Sequence, residues 1–169
     1  VRSSPNYVKK IIFPLEILPL VPMGAAFIHG LFNTTILVAA LAWTGHLNAS
    51  MLLFPLLLLP LVMLGMGLSW YFAAWGVFIK DMSQIVPIFV QILMFLSPVF
   101  YSVQVVPEAL RPVYTLNPIG PVIGALRAAL AGKEIDWNSW GIALLLGLAL
   151  LLLGHIFFNR NRDEFADAL

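Results

Sequence analysis

The stretch Trp75–Tyr101, WGVFIKDMSQIVPIFVQILMFLSPVFY, decides the fold of this 169-residue chain. Its charged residues, Lys80 and Asp81, separate two long apolar runs. The second run approaches the ~20 residues that a helix needs to cross a bilayer. We therefore expect one helix to end at a membrane surface, the chain to turn at KDMSQ, and a second helix to re-enter the membrane and stop at Ser97-Pro98.

The composition is that of an integral membrane protein. The chain is 61% hydrophobic and 10% charged, whereas a soluble domain averages about 25% charged residues. A mean hydropathy of +0.96 agrees with this assignment. The net charge of +1 argues against a nucleic-acid partner, and the absence of cysteine excludes disulfides and thiolate metal sites.

The apolar pattern predicts an all-α fold with a single transmembrane domain. Four transmembrane helices are expected, at residues 15–43, 51–78, 85–101 and 140–158. Residues 1–14 predict an amphipathic helix on the membrane surface, although from the residues alone a simple basic flank that sets orientation is favoured over it. Asn138 or Ser139 would cap the last span, and residues 159–169 form a polar tail.

Residues 102–137 are too polar for a full span and predict two short helices that are re-entrant or interfacial. Pro107 suits the first turn of one helix, and Asn117-Pro118 marks a turn before the next. Gly132 suits the C-terminal cap of that second helix.

The basic residues set the orientation of the spans. An even number of spans places both termini on one side of the membrane. That side carries six basic residues (Arg2, Lys9, Lys10, Lys80, Arg160, Arg162), and the other carries three (Arg111, Arg127, Lys133). The positive-inside rule therefore predicts cytoplasmic termini and an external segment 102–137.

Small residues at helical spacing predict close helix packing in two spans. They are Gly65, Ser69 and Ala73 in the second span, and Ala143, Gly147 and Gly154 in the last. In the first span, His29 and Asn33 belong to a small-and-polar stripe. This stripe could line a conduit or form an interhelical hydrogen bond.

Motifs for catalysis and nucleotide binding do not occur in the sequence. H-E-x-x-H and G-x-S-x-G are missing, and the three histidines share no ligand spacing, so no metal site is expected. Without G-x-x-x-x-G-K-[ST], the chain cannot bind nucleotide phosphates by the P-loop. The spans lack a central Asp or Glu, which argues against proton- or sodium-coupled transport. Energy for any transport must then come from another subunit.

Three stretches, Asn6–Leu20, Gly76–Tyr101 and Val106–Gly132, together resemble the membrane subunits of type-2 ABC exporters. Those subunits move polysaccharides such as O-antigen, capsule or teichoic acid across the bacterial inner membrane. The resemblance covers essentially the whole chain but only the later part of a family member. It therefore implies a fragment that lacks two N-terminal spans.

The resemblance implies a permease homodimer that carries lipid-linked polysaccharide and is not itself an enzyme. ATP and Mg would bind a partner ATPase, so no cofactor is expected in this chain. Contacts to the ATPase would come from a coupling segment: Asn6, Tyr7, Val8, Lys9, Lys10, Lys80 and Asp81. Candidates to line the conduit are His29, Asn33, Gln91, Phe95, Phe100, Tyr101 and Tyr114. The outer gate helices would include Pro107, Glu108, Arg111, Asn117, Pro118 and Arg127.

Three other functions stay open at this point. One is a type-2 ABC exporter of a drug or lipid, and another is a passive structural membrane subunit. The third is a membrane-embedded enzyme that acts on polyprenyl-linked sugars. Its catalytic groups would have to come from the charged residues of the outer face: Glu108, Arg111, Arg127, Glu134 and Asp136.

Overall fold

The computed structural model describes residues 17–79, 81–97, 99 and 117–161, and every regular element within these ranges is helical. The all-α class predicted from the sequence is confirmed there. The elements are α1 (Leu20–Trp43), a 3₁₀ helix (Ala49–Leu53), α2 (Phe54–Phe78), α3 (Met82–Leu96), α4 (Ile119–Leu130) and α5 (Trp137–Asn161).

Three helical stretches of the described ranges are long and apolar enough to cross a membrane. They are α1 with 24 residues, the continuous stretch Ala49–Phe78 with 30 residues, and α5 with 25 residues. Helix α3 overlaps the predicted third span (residues 85–101) but begins at Met82, and it has 15 residues. It rises about 22 Å at 1.5 Å per residue, whereas the hydrocarbon core is about 30 Å thick. The chain is a membrane protein with at least these three candidate spans.

Helices α2 and α5 form the centre of the structure and run parallel. Near the start of both helices, the indole Nε1 of Trp140 donates to the carbonyl of Leu57 at 3.2 Å. Near the end of both, Phe158 is buried against Trp70 and Ala74. We call the end where α2 and α5 begin the upper end, and the end where they finish the lower end.

Glycines bring the backbones of α2 and α5 into direct contact. A Cβ atom at Gly147 would lie 2.8 Å from the carbonyl oxygen of Pro60. A Cβ at Gly154 would overlap the carbonyl of Gly67, and one at Gly67 would overlap the backbone of Leu150. No side chain fits between the two helices at these positions.

The small residues of the two spans have different partners. Ala143, Gly147 and Gly154 are buried, as their spacing predicts for a packed face of α5. On α2, however, the close contact with α5 uses Gly67, which the spacing argument did not single out. Gly65 instead faces α1, where an added Cβ would lie 3.1 Å from Cε of Met23.

Helices α1 and α3 lie at the periphery, and neither contains a buried residue. The start of α1 is at the lower end, because Leu20 packs on the cluster of Trp70 and Phe158. Helix α3 runs antiparallel to α2, and the ring of Phe89 lies 5.4 Å from that of Phe72. Each peripheral helix therefore contacts the α2–α5 pair through one face.

Helix α4 packs across the upper end. Ala125 and Ala129 are buried with Phe54, Leu57 and Trp140. The helix ends at a left-handed Gly132 with φ of +63°, and the Lys133 N–H donates to the Ala128 carbonyl at 2.9 Å. Together these form the Schellman motif. The second short helix and its glycine cap are confirmed, while the helix expected at Pro107 lies outside the described residues.

Replacing Gly154 by Ala should force α2 and α5 apart. We expect Gly154→Ala to lower the free energy of unfolding in detergent by about 1–3 kcal/mol, because the new Cβ meets backbone atoms that cannot rotate away. The matched control is Gly141→Ala on the same helix, where an added Cβ meets nothing within 4 Å. The control should be neutral or up to about 1 kcal/mol more stable from helix propensity. Equal stabilities of the two variants in detergent-mediated unfolding would contradict the backbone contact.

Candidate functional site

The expected coupling segment lies almost entirely outside the described residues. Asn6, Tyr7, Val8, Lys9, Lys10 and Lys80 are not described, and only Asp81 can be placed. Asp81 is exposed at the lower end and occupies the N-cap position of α3. Its backbone carbonyl accepts hydrogen bonds from the N–H groups of Gln84 at 2.9 Å and Ile85 at 3.1 Å. The chain therefore turns into α3 at the KDMSQ stretch.

The two conduit candidates of α1 lie off the face that contacts α2. The partly buried residues of α1, Met23, Thr34 and Leu41, define that face. His29 projects from the opposite side and Asn33 from the flank, at 100° per residue. Both are exposed, and within the described ranges neither side chain forms a hydrogen bond. The interhelical bond considered for them is therefore not made inside this part of the chain.

The conduit candidates of α3 also lie off the face that contacts α2. Phe89 and Leu93 face α2, whereas Gln91 and Phe95 are one turn apart on the other side. Gln91 and Phe95 are exposed, the latter by 60%. Phe100, Tyr101 and Tyr114 lie outside the described residues.

Two grooves flank α2, and both are lined almost entirely by apolar and small groups. The first, of about 580 Å³, lies between α1 and α2 and is lined by residues such as Phe27, Gly30 and Leu61. The second, of about 840 Å³, lies near the lower end between α1, α2 and α3. None of the four described conduit candidates lines either groove. These grooves are therefore distinct from the expected conduit.

A chain of three hydrogen bonds connects the end of α3 to the start of α4. Ser97 Oγ donates to the carbonyl of Leu93 at 2.6 Å and accepts from Asn117 Nδ2 at 3.0 Å. Asn117 Oδ1 accepts from the N–H of Ile119 at 3.0 Å. Because a backbone N–H can only donate, this last bond fixes which amide atom faces Ser97. Ser97 and Asn117 are 1% and 6% exposed, so the bond between them is buried.

A second connection between α3 and α4 lies beside the first. Arg127 Nη2 on α4 donates to the carbonyl of Val99, three residues past α3, at 2.6 Å. Pro118 directly precedes α4, where its lack of an N–H costs no helical bond. Of the residues expected in the outer gate, Asn117, Pro118 and Arg127 thus come together, while Pro107, Glu108 and Arg111 lie outside the described residues.

The remaining contacts of the upper end also use side chains that hold backbone groups. Asn48 Nδ2 donates to the Leu130 carbonyl at the end of α4, at 3.0 Å. Asp136 caps α5 by accepting from the N–H of Ser139 at 3.1 Å and from its hydroxyl at 2.6 Å. These bonds hold the pKa of the Asp136 carboxyl below its usual value. The cap predicted from the sequence, Asn138 or Ser139, lies two or three residues after the observed one.

Sequence reasoning missed an aromatic cluster at the lower end. The ring of Phe157 lies 5.0 Å from Tyr71 and stacks on Trp75 at 6.0 Å. The ring of His155 lies 4.8 Å from Trp70. Tyr71 and Trp75 are four residues apart on α2, a spacing that could have indicated this cluster. The same spacing also fits a row of side chains that faces lipid, and the sequence alone does not show that α5 packs beside them.

The polar side chains of the described ranges include a buried pair and an exposed set. Within the described ranges, no three His, Cys, Asp or Glu side chains come close enough to bind a metal ion. The buried polar side chains Ser97 and Asn117 are used in bonds between helices. The exposed polar side chains on α1 and α3 are free to face a neighbouring helix or a water-filled path.

Comparison with known proteins identifies relatives over nearly the whole chain. The family model for the ABC-2 type transporter matches residues 1–131. Two curated Klebsiella pneumoniae proteins, both described as O-antigen export system permease protein RfbA, are each 23% identical over 169 residues. The match covers 99% of this chain and 65% of each relative, so the chain spans just under two thirds of their length.

Replacing Trp140 by Phe should weaken the upper end. The variant loses the indole donor and leaves the buried Leu57 carbonyl without this partner, so we expect a loss of about 1–3 kcal/mol in unfolding free energy. Trp137→Phe is the matched control, since Trp137 is 48% exposed, and it should change stability by about 0.5 kcal/mol or less. Thermal unfolding in detergent, followed by circular dichroism, compares the two. A control as unstable as Trp140→Phe would rule out this role for the indole bond.

Proposed function

Because its residues 1–131 match the family model, the chain belongs to the ABC-2 type transporter family, and we propose that it is the permease subunit of an ATP-driven polysaccharide exporter. The substrate would be a lipid-linked polysaccharide, moved across the bacterial inner membrane. The chain would form the conduit and perform no covalent chemistry.

The observation that carries this proposal is the similarity to O-antigen export permeases along 99% of the chain. It extends through α5, beyond the end of the family match at residue 131. Among the described residues, the buried side chains of Ser97 and Asn117 join α3 to α4. The polar candidates for a transport path lie on exposed faces of α1 and α3.

The path of the chain supports a fourth span at residues 85–101. Since α2 and α5 are parallel, the chain must return from the lower to the upper end between them, and α3 makes most of this return. The contact of Phe89 with Phe72 places Leu96 about 15 Å below the start of α2. Helix α4 begins there, at the Ser97–Asn117 bond, and ends beside Asn48. It therefore rises from membrane depth to the surface, as a re-entrant helix would.

The upper end would face the periplasm and both termini the cytoplasm. The described basic residues do not favour this orientation, since Arg127 and Lys133 lie at the upper end and Arg160 at the lower end. The cytoplasmic excess that supports it is the one that the sequence predicts for Arg2, Lys9, Lys10, Lys80 and Arg162. Trp43 and Trp137, exposed at the upper end, suit an aromatic belt at the outer interface.

Two copies of the chain and a separate ABC ATPase would form the exporter. ATP binding would close the ATPase dimer and move the coupling segment, Asn6–Lys10 with Lys80 and Asp81, which would lie at the cytoplasmic end of α1 and α3. Gln91 and Phe95 would line the conduit with His29 and Asn33, since aromatic faces stack on sugar rings and amides bond to hydroxyl groups. Phe100, Tyr101 and Tyr114 would extend this lining.

An outer gate would be formed by short helices on the periplasmic face. Helix α4, with Asn117, Pro118 and Arg127, would be the second of them. The first would contain Pro107, Glu108 and Arg111.

Co-purification of a partner tests the proposed function. The full-length gene product is isolated from detergent-solubilised membranes, and the proteins that accompany it are identified. We expect an ABC ATPase in roughly equal amount, lost when Ser3–Lys10 is scrambled and retained when residues 138–139 of the outer face are replaced by Ala. Deletion of the gene should trap a lipid-linked glycan inside the cell. Recovery of the chain alone, even after cross-linking, would overturn the proposal.

Thiol labelling tests the conduit. The chain contains no cysteine, so single cysteines can be introduced without background. In membranes that contain the ATPase, Gln91→Cys and Phe95→Cys should react with a membrane-impermeant maleimide several times faster than Val86→Cys, which faces α2. Addition of the transport substrate should slow the reaction of Gln91→Cys and Phe95→Cys with the maleimide. Equal rates at all three positions would show that this face of α3 does not line an aqueous path.

A further inference from the structure

We propose that Ser97, Asn117 and Arg127 form a latch that anchors the upper end of α3 to α4, and that α3 and α4 stay joined while substrate passes. This inference rests on the export function proposed above and assigns these residues a positioning role. They would hold the helix that carries Gln91 and Phe95 without contacting the polysaccharide.

The first support is that α4 is itself attached to the rigid centre of the molecule. Ala125 and Ala129 are buried against the first turns of α2 and α5. Asn48, directly before the 3₁₀ helix that leads into α2, holds the last carbonyl of α4 at 3.0 Å. Helix α4 is therefore connected at its middle and its C-terminus to the pair of helices that glycine contacts hold together.

The second support is that α3 lacks such attachments of its own. None of its residues is buried, and its contact with α2 runs along a single face. At its upper end, Ser97 is 1% exposed and accepts from Asn117, while Val99 accepts from Arg127. The buried polar contact between α3 and α4 is thus the bond from Asn117 to Ser97, and the exposed bond from Arg127 to Val99 lies beside it.

The third support is that the two amide atoms of Asn117 bond to different helices. Its Oδ1 holds the Ile119 N–H at the start of α4, and its Nδ2 reaches Ser97. The same side chain therefore begins one helix and holds another. In an apolar environment, a buried amide left without its partner is costly. Breaking the bond from Asn117 Nδ2 to Ser97 favours a detached α3 by about fivefold.

The experiment separates attachment from transport. Spin labels are placed on exposed positions through Ile92→Cys on α3 and Gly124→Cys on α4, where an added Cβ meets nothing within 4 Å. Distances between them are measured in the full-length permease–ATPase complex, first resting and then trapped with ATP. We expect one narrow distance distribution in both states.

Ser97→Ala removes the acceptor of the latch but leaves the start of α4 intact. This variant should broaden the distribution and lower glycan export at least fivefold, with unchanged protein level and ATPase co-purification. Ser83→Ala, an exposed serine at the other end of α3, is the control and should alter neither measurement. A distribution in Ser97→Ala identical to that of the unchanged chain would overturn the latch.

Locking the latch tests whether α3 and α4 must separate during transport. Ser97→Cys with Asn117→Cys is oxidised to a disulfide or bridged by the shortest bifunctional thiosulfonate. Export should survive the cross-link, whereas loss of export that returns on reduction would show that α3 and α4 have to separate. If the unchanged chain exports no glycan, the proposed function fails, and the spin-label distances still decide the attachment.

Discussion

A contact between backbones, with no side chain between them, determines the arrangement of the other helices. Gly67 on α2 and Gly154 on α5 let the two helices touch directly, and the helices are parallel. Two parallel helices cannot be joined by a tight turn, so the chain between them has to travel back along the bundle. Helices α3 and α4 carry the chain back from the lower to the upper end. As a result, α4 forms an additional layer at the upper end.

Hydrogen bonding in an apolar environment explains how that layer is held. A polar group without a partner costs several kcal/mol in hydrocarbon. At the upper end, Asn48, Arg127 and Trp140 each donate to a backbone carbonyl of another segment. His29 and Gln91 have no such bond within the described ranges, which is why a neighbouring helix or water is the natural environment for their faces.

The sequence anticipated features that depend on local chemistry. The apolar lengths of α1, α2 and α5, the glycine cap at Gly132 and the small face of α5 follow from residue type and spacing alone.

The sequence did not anticipate features that depend on which residue a side chain contacts. The spacing of Gly65, Ser69 and Ala73 singled out a face of α2, yet α5 packs on Gly67. The bond between Ser97 and Asn117 joins residues 20 positions apart, so no periodicity could indicate it. The cap of α5 was misplaced because Asp, Asn and Ser are all good caps and stand close together.

The parallel pairing of α2 and α5 also has a consequence for synthesis of the protein. Trp140 and its acceptor Leu57 are 83 residues apart, and a ribosome adds about 5–20 residues per second. For about 4–17 seconds after α2 enters the membrane, its glycine face has no α5 to cover it. During biogenesis, lipid or the insertion machinery must therefore occupy the surface that later becomes the tightest contact in the molecule.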